Sequence, residues 1–230
     1  FPVKTCPWVM MAVKSSSPIR DWGADYMLDV ANRLSGDGCE VFLTGFCSDG
    51  KFWWARDEIL PSGRKLRVQM PFPERIHNYV GLFKDTRQLA AFMSMCDLVI
   101  ANDSGCTHLA GALGIPCVTI YGSFPAHDRV TPYTSVHALE GHGDCKYCCI
   151  HGWEFPEWGP CFKTKRCEVL RTVHPDSVYA WAKGLVTYLP GFGHVEKLKK
   201  IPSAVPAIHE LPEPILAGVV PPGNNDGKAV

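Results

Sequence analysis

The stretch Asn102-Asp103-Ser104-Gly105-Cys106-Thr107-His108 holds the residue types that bind a phosphorylated ligand. It follows an apolar run, Asp97 to Ala101, and opens a segment, Cys106 to Leu113, that reads as a helix stopped by Gly114. Ser104 or Asp103 is placed to cap that helix. Gly105 lets backbone approach a ligand closely. The free N–H groups and the positive end of the helix dipole suit a diphosphate. His108, one turn in, is expected to face the same anion. Local physics alone leaves the plainer alternative open, in which Asp-Ser-Gly is only a good helix start and His108 a surface residue.

A second cluster is rich in sulfur. Cys145, Cys148, Cys149, Cys161 and Cys167 crowd into a short segment, with His142 and His151 nearby. The first pair has metal-ligand spacing, and four thiolates would suit structural zinc at Cys145, Cys148, Cys161 and Cys167. Cys161 and Cys167 lie further apart than a second such pair, so free or buried thiols stand as the alternative, with disulfides third. Cys6, Cys39, Cys47, Cys96, Cys106 and Cys117 are scattered among apolar segments, as buried thiols usually are.

These groups need elements to hold them. Trp8 to Val13 is a continuous apolar run, expected as a strand buried on both faces. Met27, Val30, Ala31 and Leu34 mark one face of a helix over Ala24 to Leu34. Glu40 to Thr44 reads as a strand closed by Gly45, and a weaker helix is expected around Phe52 to Ile59. Strands are expected near Leu66 to Met70 and Asn78 to Leu82, then a helix over Thr86 to Met95. Strands over Asp97 to Ala101 and Pro116 to Tyr121 flank the phosphate motif, and Asp176 to Tyr188 reads as a closing amphipathic helix.

Alternating strands and helices imply right-handed βαβ units and a mostly parallel, Rossmann-like doubly wound α/β sheet. Ligands of such sheets bind beyond the carboxyl ends of the strands. The loops that matter therefore start at Val13, Gly45, Leu82, Asn102 and Gly122. The expected division is one domain over 1–190 with a Cys-rich insertion over 142–168. An extended tail follows over 191–230, where residues 201–230 hold six prolines and no aromatic residue.

Composition limits the partners. The chain has 230 residues, of which 46% are hydrophobic and 20% charged, so a packed core is expected. Lys plus Arg and Asp plus Glu both number 23, which leaves no basic excess for nucleic acid. No run is long and apolar enough for a transmembrane segment. The expectation is a cytoplasmic chain, at most peripheral to the inner membrane.

The segment from Leu89 to Gly122 resembles glycosyltransferase family 9, the ADP-heptose:lipopolysaccharide heptosyltransferases. The resemblance rests on a strand ending in Asp103-Ser104-Gly105-x-x-His108, then Leu109-Ala110-x-Ala112-Leu113-Gly114-x-Pro116, then a strand ending Tyr121-Gly122. It extends to the opening strand with Arg20-Asp21-Trp22, where the family usually has Lys in place of Arg20, to Leu43-Thr44-Gly45, and to the closing helix. It implies the second half of a GT-B glycosyltransferase, in which Asp103, Ser104, Gly105 and His108 contact a nucleotide-diphospho-sugar donor. Arg20 would reach the phosphates, and Ser15, Ser16 and Ser17 would offer hydroxyls. Asp49 and Lys84 would line the nucleoside and sugar. The implied reaction is inverting and needs no cofactor for catalysis. The carboxylate base, the glycan or glycolipid acceptor and most acceptor contacts would belong to an N-terminal domain or partner chain. An apolar docking surface is then expected near the Trp22 loop and Trp153 to Trp158. A non-catalytic domain of this fold, serving binding or assembly and stabilised by zinc, is the alternative.

Overall fold

In the computed structural model the described residues are 4–45, 72–148, 161, 164 and 166–187, together with the backbone of 55–59 and 65–69. Six parallel strands form the main sheet in the order β5-β2-β1-β6-β7-β8. They are β1 (Trp8–Ala12), β2 (Glu40–Thr44), β5 (Ile76–Asn78), β6 (Leu98–Asn102), β7 (Cys117–Tyr121) and β8 (Val136–Glu140). β1, β2, β6 and β7 are buried along their whole length. Their near-continuous apolar sequence follows from helices covering both faces.

Side chains along each strand alternate between two cores. Val9, Met11, Val41, Leu43, Leu98 and Ile100 meet the helices α1 (Ala24–Gly36) and α6 (Pro175–Thr187) on one face. Trp8, Met10, Phe42, Val99 and Ala101 meet Phe92 and Met93 of α2 (Thr86–Met93) and Ala110 of α3 (Gly105–Ala112) on the other. From β1 the chain winds outward through β2 to β5, then returns to the other side of β1 and continues through β6, β7 and β8. The direction of winding thus reverses between β1 and β6, where a doubly wound sheet opens its ligand crevice.

Two expectations need correction. Residues 55–59 are a strand, β3 (Ala55–Ile59), rather than the end of a helix, and β3 pairs antiparallel with β4 (Lys65–Gln69) in a separate ribbon. The intervening sequence includes Pro61 and Gly63, a length and composition suited to a hairpin connection. Pairing of the two segments overrides the weak helical signal of either alone. β5 starts earlier than the apolar run Tyr79–Leu82 suggests, because the buried carboxylate of Glu40 anchors its first residues. Arg75 Nη1 donates to Glu40 Oε1 at 2.6 Å, and His77 Nε2 lies 2.8 Å from Oε2. The chain then turns out of the sheet at Gly81, whose φ is +76°.

β8, α4 (His127–Val130) and α5 (Glu168–Arg171) had no counterpart in the sequence reading. β8 is half-buried throughout, as suits an edge strand, and carries little of the apolar run by which a central strand is recognised. Among the described residues no helix is long and apolar enough to cross a membrane. Residues 188–230, with the tail, lie outside the described residues, as does most of the Cys-rich segment.

Candidate functional site

The loops that leave β1 and β6 meet at the reversal point and enclose a cleft of about 430 Å³. Lys14, Ser15 and Ser16 line it from the β1 side, and Ser104, Gly105 and Cys106 from the first turn of α3. Phe83, Leu89 and Leu109 supply an apolar wall. One end of the cleft is therefore polar and the other apolar, as a ligand with an ionic group and a flat organic group requires.

The start of α3 is left open. Ser104 is its N-cap residue, with extended φ and ψ of −155° and 171°, yet its side chain makes no cap hydrogen bond. α2 differs: Asp85 Oδ1 accepts from the N–H groups of Arg87 and Gln88, both at 2.9 Å. Cap residues are thus available to this sequence, and at α3 the leading N–H groups face the cleft unsatisfied by a side chain. The helix is held from below instead. Thr107 Oγ1 lies 3.1 Å from the Asn102 carbonyl and 2.9 Å from Thr119 Oγ1.

Asp103 sits at the carboxyl end of β6 and is 3% exposed. Its Oδ2 has no hydrogen-bond partner, and neither has the buried hydroxyl of Tyr121. Burial pushes the Asp103 carboxyl above the usual carboxylate range. The charges of Arg20, Arg129 and His108 and the neighbouring Tyr121 hydroxyl work against that shift. Three cationic or potentially cationic side chains thus act through space on a single buried carboxylate.

The β1 loop presents Ser15 and Ser16 at the cleft, whereas Ser17, expected to offer its hydroxyl with them, is fully buried. Asp21 Oδ1 accepts from the Ser15 N–H at 2.7 Å, and Ser15 Oγ donates to the Ser17 carbonyl at 2.5 Å. Arg20 Nη2 donates to Ser16 Oγ at 2.6 Å, which ties Arg20 to a residue lining the cleft. Asn102 ties this loop to β6 by accepting from the Trp22 N–H at 3.0 Å.

Residues 4–148 match the family model for glycosyltransferase family 9 (heptosyltransferase). The chain belongs to this family. A lipopolysaccharide heptosyltransferase 2 of Salmonella typhimurium is 28% identical over 115 residues, covering 50% of this chain and 30% of that protein. The solved ADP-heptose lipopolysaccharide heptosyltransferase II of E. coli superposes with a TM-score of 0.56 at 19% identity, over 80% of this chain and 47% of that one. An iron-containing dodecameric glycosyltransferase of enterotoxigenic E. coli gives a TM-score of 0.58 at 16% identity, over 80% and 46% of the two chains. The chain spans less than half the length of each of these relatives.

The remaining expected site residues of this family 9 chain are spread more widely. His108 is half-buried and packs edge-on to Tyr133, with ring centroids 5.9 Å apart. Lys84 is exposed beside Phe83, and its backbone N–H donates to Gln88 Oε1. Asp49 lies outside the described residues.

Trp22 is corrected. It is fully buried, its Nε1 donating to the Val173 carbonyl at 2.8 Å, so it pins α1's entry to the core and offers no docking surface. Trp153 to Trp158 are outside the described residues. Cys167 is buried, and Cys145, Cys148 and Cys161 pack half-buried against the same core. Burial raises the Cys167 thiol, with further upward pressure from Cys145 and Cys161. Among the described residues no three His, Cys, Asp or Glu side chains are arranged to hold a metal.

Sequence reading missed Arg129. The signal was its position, in the connection after the strand that ends Tyr121-Gly122, one of the loops at the carboxyl edge of the sheet.

Proposed function

We propose that this chain is the donor-binding half of an inverting glycosyltransferase that takes a nucleotide-diphospho-sugar. The observation that carries the reading is the open N-terminus of α3 at the reversal point of the sheet, facing a cleft with cationic side chains around it. The leaving nucleoside diphosphate gains charge as the glycosidic bond breaks. Fixed N–H dipoles and guanidinium groups stabilise that charge more in the transition state than in the ground state. Ser104, Gly105, Ser15 and Ser16 hold the diphosphate, Arg20 offsets its charge, and the wall of Phe83, Leu89 and Leu109 suits the nucleoside. Lys84, at that wall's edge, and Asp49 are assigned to the sugar or nucleoside. The acceptor, a glycan or glycolipid, and the carboxylate that deprotonates it belong to an N-terminal domain or partner chain.

Calorimetry with ADP, UDP and GDP tests the reading: at least one binds in the micromolar to millimolar range, and no binding by any of them at millimolar concentration ends it.

Metal binding by Cys145, Cys148, Cys161 and Cys167 is a separate proposal. Their packing against the same core and the iron described for one structural relative support it, and the four thiols would have to draw closer than they stand in this structure to hold an ion. Because burial favours the protonated Cys167 thiol, a metal would have to displace that proton, and its affinity would fall with falling pH. Elemental analysis should find about one equivalent of zinc or iron; metal-free protein whose melting temperature a chelator leaves unchanged would refute it.

A further inference from the structure

We propose that Arg129 is a second cationic ligand for the donor diphosphate, gripping it from the β7 side of the crevice while Arg20 grips it from the β1 side. The inference rests on the donor-binding reading and adds to it a residue from a different element.

Arg129 lies on α4, reached directly from the end of β7. β7 pairs with β6 so that Ile120 stands opposite Asn102, which brings the connection after Tyr121 alongside Asp103 and the start of α3. The guanidinium lies over the Phe124 ring, 4.3 Å from its centroid. Stacking covers one face and leaves the N–H edge free to bond in its own plane. Among the described residues that edge makes no hydrogen bond. The carboxylate nearest in sequence, Asp128, is taken by His127 Nε2 at 2.8 Å.

The plainer role would be to neutralise Asp103. That role is overfilled. Asp103 carries at most one negative charge, and Arg20, Arg129 and His108 all act on it, each through space rather than by a hydrogen bond. Asp103 Oδ2 stays unpartnered although the residue is only 3% exposed. Two arginines that approach a carboxylate without closing on it leave positive potential directed into the space beside it. A diphosphate, with several acceptor oxygens, satisfies two guanidinium forks at once where one carboxylate cannot. The fork at Arg129 is held by Phe124 before the ligand arrives, so little side-chain freedom is lost on binding.

The test compares wild type, Arg129→Ala and Arg129→Lys for binding of a nucleoside diphosphate, its monophosphate and the plain nucleoside, with thermal unfolding of each variant as a check on the fold. Arg129→Ala should weaken the diphosphate about 10- to 100-fold, the factor for a charged hydrogen bond. The nucleoside should be unaffected, and Arg129→Lys should recover part of the loss because it restores charge without the fork. Equal weakening of nucleoside and diphosphate, or undiminished diphosphate binding by Arg129→Ala, overturns the role of Arg129 and leaves the donor reading intact. Absence of diphosphate binding by wild type overturns both.

Discussion

At the scale of single residues, Asp103 shows stability set against use. Burying a carboxylate without a full set of partners is costly, and the raised affinity of Asp103 for its proton is the sign of that cost. The sign of the pH effect follows. The folded state holds this proton more tightly than the unfolded chain, so stability from this group is full below the ordinary carboxylate range and lost as pH rises through the folded value. Asp103→Asn should therefore melt higher than wild type at neutral pH, and the gap should narrow on acidification. The same change should weaken nucleoside diphosphate binding by ~1–3 kcal/mol, the range for losing a charged hydrogen bond. Calorimetry and melting curves at pH 4 and 7 check both halves; a variant that loses stability at neutral pH refutes the first. The position of Asp103 between a strand end and a helix start was legible in sequence because its neighbours, Ser104 and Gly105, form a recognisable helix start. Arg129 was not legible, since a lone arginine near a glycine and a proline reads as a solvated loop charge until β7 and β6 are paired.

At the scale of elements, α3 is positioned more tightly than its sequence suggests. A Cβ added at Gly111 would run into the Tyr133 ring. Tyr133 also packs edge-on to His108, one turn earlier on the same helix. Gly111 thus permits the close packing of Tyr133 that fixes the His108 ring. Gly111→Ala should destabilise the protein by ~1–3 kcal/mol, since the aromatic ring has to shift. It should also weaken diphosphate binding through His108, although residue 111 itself does not line the cleft. Equilibrium denaturation and calorimetry measure the two effects, and unchanged stability would show that Tyr133 moves freely. The elements around the site were legible because β1, β2, β6 and β7 are buried on both faces and therefore apolar along their length. β8 is an edge strand, and β3 and β4 owe their strand character to each other, so neither periodicity nor apolar content announced them. The winding reversal between β1 and β6, which sets where the cleft opens, was only implicit in the alternation of strands and helices. No local pattern states which neighbour a strand will choose.

At the scale of the whole molecule, the question is whether these residues can complete a transfer. The acceptor hydroxyl needs a carboxylate free to take its proton. Among the described residues, three carboxylates at the carboxyl edge of the sheet are engaged with other groups. Asp21 holds the Ser15 N–H and the Lys14 ammonium. Asp128 is paired with His127. Glu140 accepts from the Ala126 N–H, Lys146 and Tyr147. Asp103 is buried, which keeps an acceptor hydroxyl from its carboxylate. On the donor-binding reading the cleft holds a leaving group, and none of these four carboxylates stands idle beside it. Orientation of the acceptor and base catalysis each account for several kcal/mol in such reactions. Residues 1–230 alone should accordingly bind a nucleotide sugar and transfer none of it, beyond slow hydrolysis of the donor. A transfer assay on this chain, repeated after adding an N-terminal domain from a family relative, measures the difference directly. Efficient transfer by the chain alone would place the base within it, and Asp49, in the connection after β2, would then be the first residue to replace.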